Sequence, residues 1–224
     1  MKVLPLYISL ALLFTGLAAC NNRNGAEEPA FWGEIQKFKE ADSLHRPSGG
    51  VILFVGSSSF RLWTDLEVVF KDYGALNRGF GGATLLDLNR YANNVIFPYQ
   101  PRQIVIYCGE NDLPADTVTA QMLLSRFKEV FSTIREKMPE VPLAYISIKP
   151  SPARERYMPL IRDCNALIKA YLATQKHTVF IDTYSLMLTP EGKLRPELYI
   201  EDQLHMNKKG YAIWIDAIKP HLIR

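Results

Sequence analysis

The sequence predicts an α/β domain built on a parallel sheet that is covered on both faces. The runs Val51–Val55, Ile104–Cys108, Leu143–Ile148 and Val179–Ile181 are apolar throughout rather than alternating, as strands buried on both faces are. Stretches with the 3.6-residue apolar spacing of helices separate and follow them. Polar, glycine-containing clusters lie just beyond several of these runs, where ligands bind in such sheets.

Taken in order, residues 1–19 are expected to lie outside the fold. Lys2 is followed by an apolar stretch that ends in Leu17-Ala18-Ala19, small residues suited to signal-peptidase cleavage. The run is too short, and too broken by Pro5, for a membrane-spanning helix. Cys20 directly after it resembles the lipobox of bacterial lipoproteins, which implies cleavage before Cys20 and lipid on that residue. Two or more acyl chains would anchor the protein stably to a membrane. Residues 20–29 are the lipidated cysteine and a polar tether containing Gly25 and Pro29. Residues 30–224 are long enough for one domain with its own core.

Within that domain, Phe31, Ile35 and Phe38 suggest a helix ahead of the first strand, Val51–Val55. A weaker strand is expected around Ala75-Leu76-Asn77. After the strand Ile104–Cys108, the stripe Leu123, Phe127, Val130, Phe131, Ile134 and Met138 marks a helix ended by Pro139. The strand Leu143–Ile148 leads to a second stripe, Leu160, Ile161, Cys164, Leu167, Ile168, Tyr171 and Leu172, expected to open at Ser151-Pro152. After Val179–Ile181, a third stripe comprises Tyr211, Trp214, Ile215 and Ile218, with Asn207 as its cap.

Composition narrows the partners. The net charge is only +3 and the basic residues are scattered, which argues against nucleic acid. Cys108 and Cys164 read as small buried hydrophobes, and His45, His177, His205 and His221 are unclustered, so no metal site is indicated.

The clusters carry the chemistry. Ester hydrolysis needs a nucleophile, a base and donors for the developing oxyanion. Ser58, in Gly56-Ser57-Ser58-Ser59, sits at a strand-to-helix switch and is the candidate nucleophile; on its own such a turn is more often a helix cap. The pattern is neither a P-loop nor the Gly-x-Ser-x-Gly elbow. Asp202 and His205, three apart, can pair so that the carboxylate fixes the imidazole tautomer. Asp182, directly after a strand, is a rival acid. Gly82 offers close backbone approach and Asn111 a neutral side-chain donor. A dinucleotide reading of the Gly79–Gly82 region fails because Thr84 stands where the third glycine belongs.

The set Ser58, Gly82, Asn111 and Asp202-x-x-His205, in that order, resembles the SGNH hydrolases, also called GDSL-type lipases or acylhydrolases. The resemblance runs from about the first strand to the last helix. It implies a three-layer α/β/α sandwich with a five-stranded parallel sheet of flavodoxin-like order. It also implies Ser58, His205 and Asp202 as catalytic residues and an oxyanion hole of the Ser58 and Gly82 N–H groups with the Asn111 side chain. No metal or organic cofactor is implied. Ser57 stands where the family usually has aspartate, so hydrogen bonding near the nucleophile must differ, and Ser57 and Ser59 stay open as nucleophiles. Lys149, ending the fourth strand, is either a substrate contact or a surface lysine, and Tyr107, Glu110, Asp112 and Leu113 flank the asparagine.

The expectation is an envelope-anchored serine esterase acting on small-molecule or glycan esters of short acyl groups such as O-acetyl. A lysophospholipase or thioesterase is the alternative within the class. A non-catalytic glycan-binding lipoprotein is the alternative outside it, and a nucleotide-binding flavodoxin-like domain lacks a phosphate cradle.

Overall fold

The computed structural model describes residues 28–115 and 117–224. The signal segment, Cys20 and all but the last two residues of the tether lie outside the described residues. Five strands, β1 (Ile52–Gly56), β2 (Ala75–Gly79), β3 (Gln103–Tyr107), β4 (Leu143–Ile146) and β5 (Thr178–Ile181), pair in parallel in the order β2-β1-β3-β4-β5. Each expected strand is present, within a few residues of its apolar run.

Among the described residues the α-helices are α1 (Trp32–Leu44), α2 (Ser58–Arg61), α3 (Leu66–Val69), α4 (Leu85–Val95), α5 (Ala120–Lys137), α6 (Met158–Leu172) and α7 (Lys208–Ile218). Alternation along β1 and β3 divides the core into two layers. Leu53, Val55, Ile104 and Ile106 pack with α1, α4, α5 and α6 on one face. Ile52, Phe54, Val105 and Tyr107 pack with Phe60, Trp63, Phe70 and Trp214 from the α2, α3 and α7 side. Continuous apolar strands are what this arrangement demands, because both faces of the sheet are buried.

Two helix starts depart from expectation. Helix α4 follows the Gly79–Thr84 stretch, where the glycine pattern predicts only a turn. It begins in a capping box in which the Thr84 side chain accepts from Asp87 N–H and the Asp87 carboxylate accepts from Thr84 N–H. Helix α6 begins at Met158, not at Ser151-Pro152, because Pro152–Tyr157 forms a separate 3-10 segment in which Ser151 makes no cap bond. By contrast, Asn207 caps α7, accepting from Lys209 N–H at 2.8 Å and Gly210 N–H at 3.3 Å.

The strand order matters for the site. The chain leaves β1 toward β2 on one side and reaches β3 on the other, so the loops after β1 and β3 diverge. That divergence opens a crevice at the carboxyl edge of the sheet. Gly56 closes β1 with φ +140°, and a Cβ there would lie 2.0 Å from the Tyr107 carbonyl oxygen. Only glycine lets β1 and β3 approach so closely where the nucleophile loop begins.

Candidate active site

Ser58 is the first residue of α2, immediately beyond β1. Its hydroxyl lies 2.9 Å from His205 Nε2, although 147 residues separate the two. Ser57 and Ser59 are each 1% exposed, and of the three serines it is Ser58 that is hydrogen-bonded to His205. Ser57, in the aspartate position, donates its N–H to the Tyr107 carbonyl at 2.9 Å.

His205 Nδ1 lies 2.6 Å from Asp202 Oδ2. The spacing of three suggests a helical turn, but the local structure is a tight loop. Gln203 adopts φ +55°, and Asp202 Oδ1 accepts the N–H groups of both Leu204 and His205 at 2.9 Å. The loop is closed by Ile200 N–H donating to the His205 carbonyl at 2.9 Å and by the bridge between Tyr199 and Met206. Asn207 adds bonds from its side-chain amide to the Glu197 and Tyr199 carbonyls, each 2.9 Å. Partial burial alone would raise the Asp202 carboxyl. The bonds from the His205 ring and from the His205 and Leu204 N–H groups outweigh it and hold the pKa down at about 2. A carboxylate that stays ionised beside Nδ1 keeps the proton there and leaves Nε2 free to accept one from Ser58.

Asp182 does not join this array. Its two oxygens accept from the Ser185 N–H at 3.0 Å and the Ser185 hydroxyl at 2.8 Å, turning the chain after β5.

Asn111 lies in the 3-10 turn Glu110–Asp112 that follows β3. Its Nδ2 donates to the Ala83 carbonyl at 3.1 Å, which ties the loop after β3 to the loop after β2. Gly82, exposed beside it, is not a packing requirement: an added Cβ would meet Asn111 Cγ at 3.9 Å, an ordinary contact. Its lack of a side chain keeps the space in front of Asn111 open. The N–H groups of Ser58 and Gly82 have no partner among the described residues.

The residues that flank Asn111 turn inward. Asp112 is buried and accepts the Leu85 N–H at 3.0 Å and Arg126 Nη1 at 2.8 Å, so it secures the start of α4. Burial pushes the Asp112 carboxyl up, against the Arg126 and Leu85 bonds. Glu110 is buried and pairs with Lys149 at 2.7 Å. Lys149 is therefore neither a substrate contact nor a surface lysine, being 0% exposed. Sequence reasoning missed Glu110 and Lys149 as partners. The one signal was two charged residues at the ends of adjacent buried strands, where isolated charges are costly. Cys108 and Cys164 are free and buried, and burial raises both thiols.

Clefts also occur away from these residues. One of about 480 Å³ runs between α1 and the start of α3, lined by Glu34, Lys37, Arg61 and Glu67 among others. It includes none of Ser58, Asn111, Asp202 and His205, of which Ser58, Asn111 and His205 are partly exposed and Asp202 is exposed.

Comparison with known proteins agrees with this architecture. The model of the GDSL-like lipase/acylhydrolase family matches residues 52–213. No curated protein matches the chain. A GDSL-like lipase from Bacteroides thetaiotaomicron superposes with a TM-score of 0.71 at 21% identity, covering 84% of this chain and 96% of the other. The acetyl xylan esterase AlAXEase gives 0.61 at 20% identity, covering 77% and 99%. A family 3 carbohydrate esterase from Clostridium thermocellum gives 0.57 at 18% identity, covering 78% and 98%. At these identities the structural likeness speaks to the fold, and the family match speaks to the chemistry. With a five-stranded parallel sheet and matching blocks from β1 to α7, the chain belongs to the GDSL-like lipase/acylhydrolase family, hydrolases of ester bonds.

Proposed function

We propose that this protein is an envelope-anchored serine esterase that removes short acyl groups, such as O-acetyl, from glycans or small molecules. The observation that carries the reading is the continuous chain from Ser58 Oγ to His205 Nε2, 2.9 Å, and from His205 Nδ1 to Asp202, 2.6 Å.

In this reading His205 Nε2 takes the Ser58 proton as Oγ attacks the ester carbonyl. The negative charge that moves onto the carbonyl oxygen is received by the N–H groups of Ser58 and Gly82 and by Asn111 Nδ2. The start of α2 adds only the local positive end of a short helix. The imidazolium, steadied by Asp202, then gives its proton to the leaving alcohol, which departs and leaves an acyl-Ser58 ester. Water attacks that ester with His205 again as base, releasing the carboxylic acid and restoring Ser58.

The partial exposure of Ser58 and His205 agrees with an ester whose alcohol is bulky, because the alcohol side can stay outside the protein. The likeness to an acetyl xylan esterase and a family 3 carbohydrate esterase agrees with this substrate class. The apolar leader ending at Ala19-Cys20 supports lipid attachment at Cys20 and a tether of residues 20–29, with the hydrolase domain spanning 30–224. The reading needs no cofactor and no nucleic acid.

A single experiment tests the chemistry and the acyl preference together. Wild type and Ser58→Ala are compared on 4-nitrophenyl esters of increasing chain length and on acetylated sugars, alongside fluorophosphonate labelling mapped by peptide mass spectrometry. Label on Ser58, acetate preferred, and a loss of about 10⁴–10⁶ in rate for Ser58→Ala are expected. Label elsewhere in folded protein overturns the triad, and a preference for long chains moves the substrate to lipids.

A further inference from the structure

Beneath the rim lies a charged cluster that the proposed reaction does not use. Lys149 Nζ donates to both carboxylate oxygens of Glu110, at 2.7 and 2.9 Å, and both side chains are buried. Glu110 Oε2 also accepts from the Tyr107 hydroxyl at 2.7 Å, and Ser151 Oγ stands 3.4 Å from Oε1. Burial pulls the Lys149 ammonium down from its ordinary value, while the Glu110 charge pulls it back up.

The place of this pair in the chain is informative. Glu110 precedes Asn111 in one short turn, and Asp112 follows it, bonded to Leu85 N–H and Arg126. The asparagine is thus strung between two anchored carboxylates. On the other side of the pair, Lys149 lies in the segment that leads from β4 to α6. Its neighbour Pro150 receives the Tyr199 hydroxyl on its carbonyl, and Ala153 N–H donates to the Gln203 carbonyl at 3.0 Å. Tyr199 and Gln203 belong to the loop that carries Asp202 and His205. The Tyr199 ring centroid lies 5.8 Å from Lys149 Nζ. The pair therefore joins the asparagine turn to the histidine loop, two segments about 90 residues apart that must keep a common geometry.

Stability alone is a weak reason to bury an ion pair. Removing two charges from water is costly, and an apolar pair of similar volume often leaves a fold equally stable. A two-point ionic contact does, however, fix distance and direction where apolar contacts slide. We propose that Glu110 and Lys149 are a positioning pair that aims the Asn111 amide at the carbonyl oxygen of the ester bound against Ser58 and His205. The proposal rests on the esterase reading, with Asn111 as oxyanion donor.

The test compares Glu110→Gln, Lys149→Met and the Glu110→Gln/Lys149→Met double variant, each with and without Asn111→Ala. kcat and KM on 4-nitrophenyl acetate and the melting temperature are measured for all. In the Asn111 background each pair variant should lower kcat about 10–100-fold with KM nearly unchanged, as loss of a supporting shell does. The double variant buries no unpaired charge, so its melting temperature should recover toward wild type while kcat does not. It also carries the test if Lys149→Met fails to fold. With Asn111→Ala in place, the same changes should cost little more, because a positioning residue has nothing left to position. A double variant with wild-type kcat, or losses that multiply in full with Asn111→Ala, overturns the proposal. If wild type neither hydrolyses esters nor labels at Ser58, the esterase reading fails and this inference with it. An active wild type with unaffected variants overturns the inference alone.

Discussion

The two halves of the site are supported in opposite ways. The base half is a surface loop: the His205 side chain is 20% exposed and that of Asp202 43%. Most of the hydrogen bonds that hold it lie within residues 197–207, with Asn207 closing the base. The oxyanion half is a short turn whose flanking carboxylates, Glu110 and Asp112, are 4% and 2% exposed and are bonded to residues from β3, β4, α4 and α5 or next to them. The difference follows from the tasks. A base must exchange protons with water and product, so it sits at the surface. A dipole that stabilises developing charge is worth most when it cannot reorient, so it is fixed from below. The first is held mostly by local chain geometry, with ties from Pro150 and Ala153, whereas the second depends on long-range packing throughout.

The contrast can be broken from the base side first, where the largest effect is expected. Asp202→Asn removes the charge that steadies the imidazolium and should lower kcat by about 10⁴, with the fold intact because the loop keeps its other bonds. A much smaller loss in stopped-flow acylation would show that His205 is oriented by the loop alone. The same variant gives a stability test. Because the Asp202 pKa is lowered from 3.8 to about 2, its contribution is complete above 3.8 and is lost as pH falls through about 2. Urea unfolding of wild type and Asp202→Asn should therefore differ most above that window and converge toward its lower end. A constant difference across it would remove Asp202 from acid sensitivity.

On the oxyanion side the expected effect is smaller. Asn111→Ala should reduce kcat about 10²–10³-fold with little change in KM, since the donor acts on charge that appears only in the transition state. A matching rise in KM would instead make Asn111 a ground-state contact. Smallest is Thr84→Ala, which removes the cap of α4 next to Gly82. It should cost about 1 kcal/mol in denaturant unfolding and change kcat little. A loss of kcat larger than the stability change would show that the loop after β2 is held as tightly as the turn after β3.

Much of this molecule was legible in the chain. The continuous apolar runs predicted the strands, and the helical stripes at Leu123, Leu160 and Tyr211 matched helices α5, α6 and α7. Helix α4 is signalled in the sequence by Thr84-x-x-Asp87, a capping box that the glycines just before it mask. The place of Ser151 before Pro152 suggests a cap, yet its hydroxyl faces Glu110. Local pattern cannot report a partner 41 residues away.

By itself, the sequence determined the layered α/β class, the family blocks and the residue types for a nucleophile, a base, an acid and an oxyanion donor. These depend on periodicity and short spacing, which local backbone physics imposes. Only the tertiary structure decided that Ser58 rather than Ser57 or Ser59 faces His205, that Asp202 rather than Asp182 meets the imidazole, and that Lys149 is sealed beneath the site against Glu110. Those outcomes depend on which loops the strand order β2-β1-β3-β4-β5 brings to one edge, and on which charges must pair once water is gone.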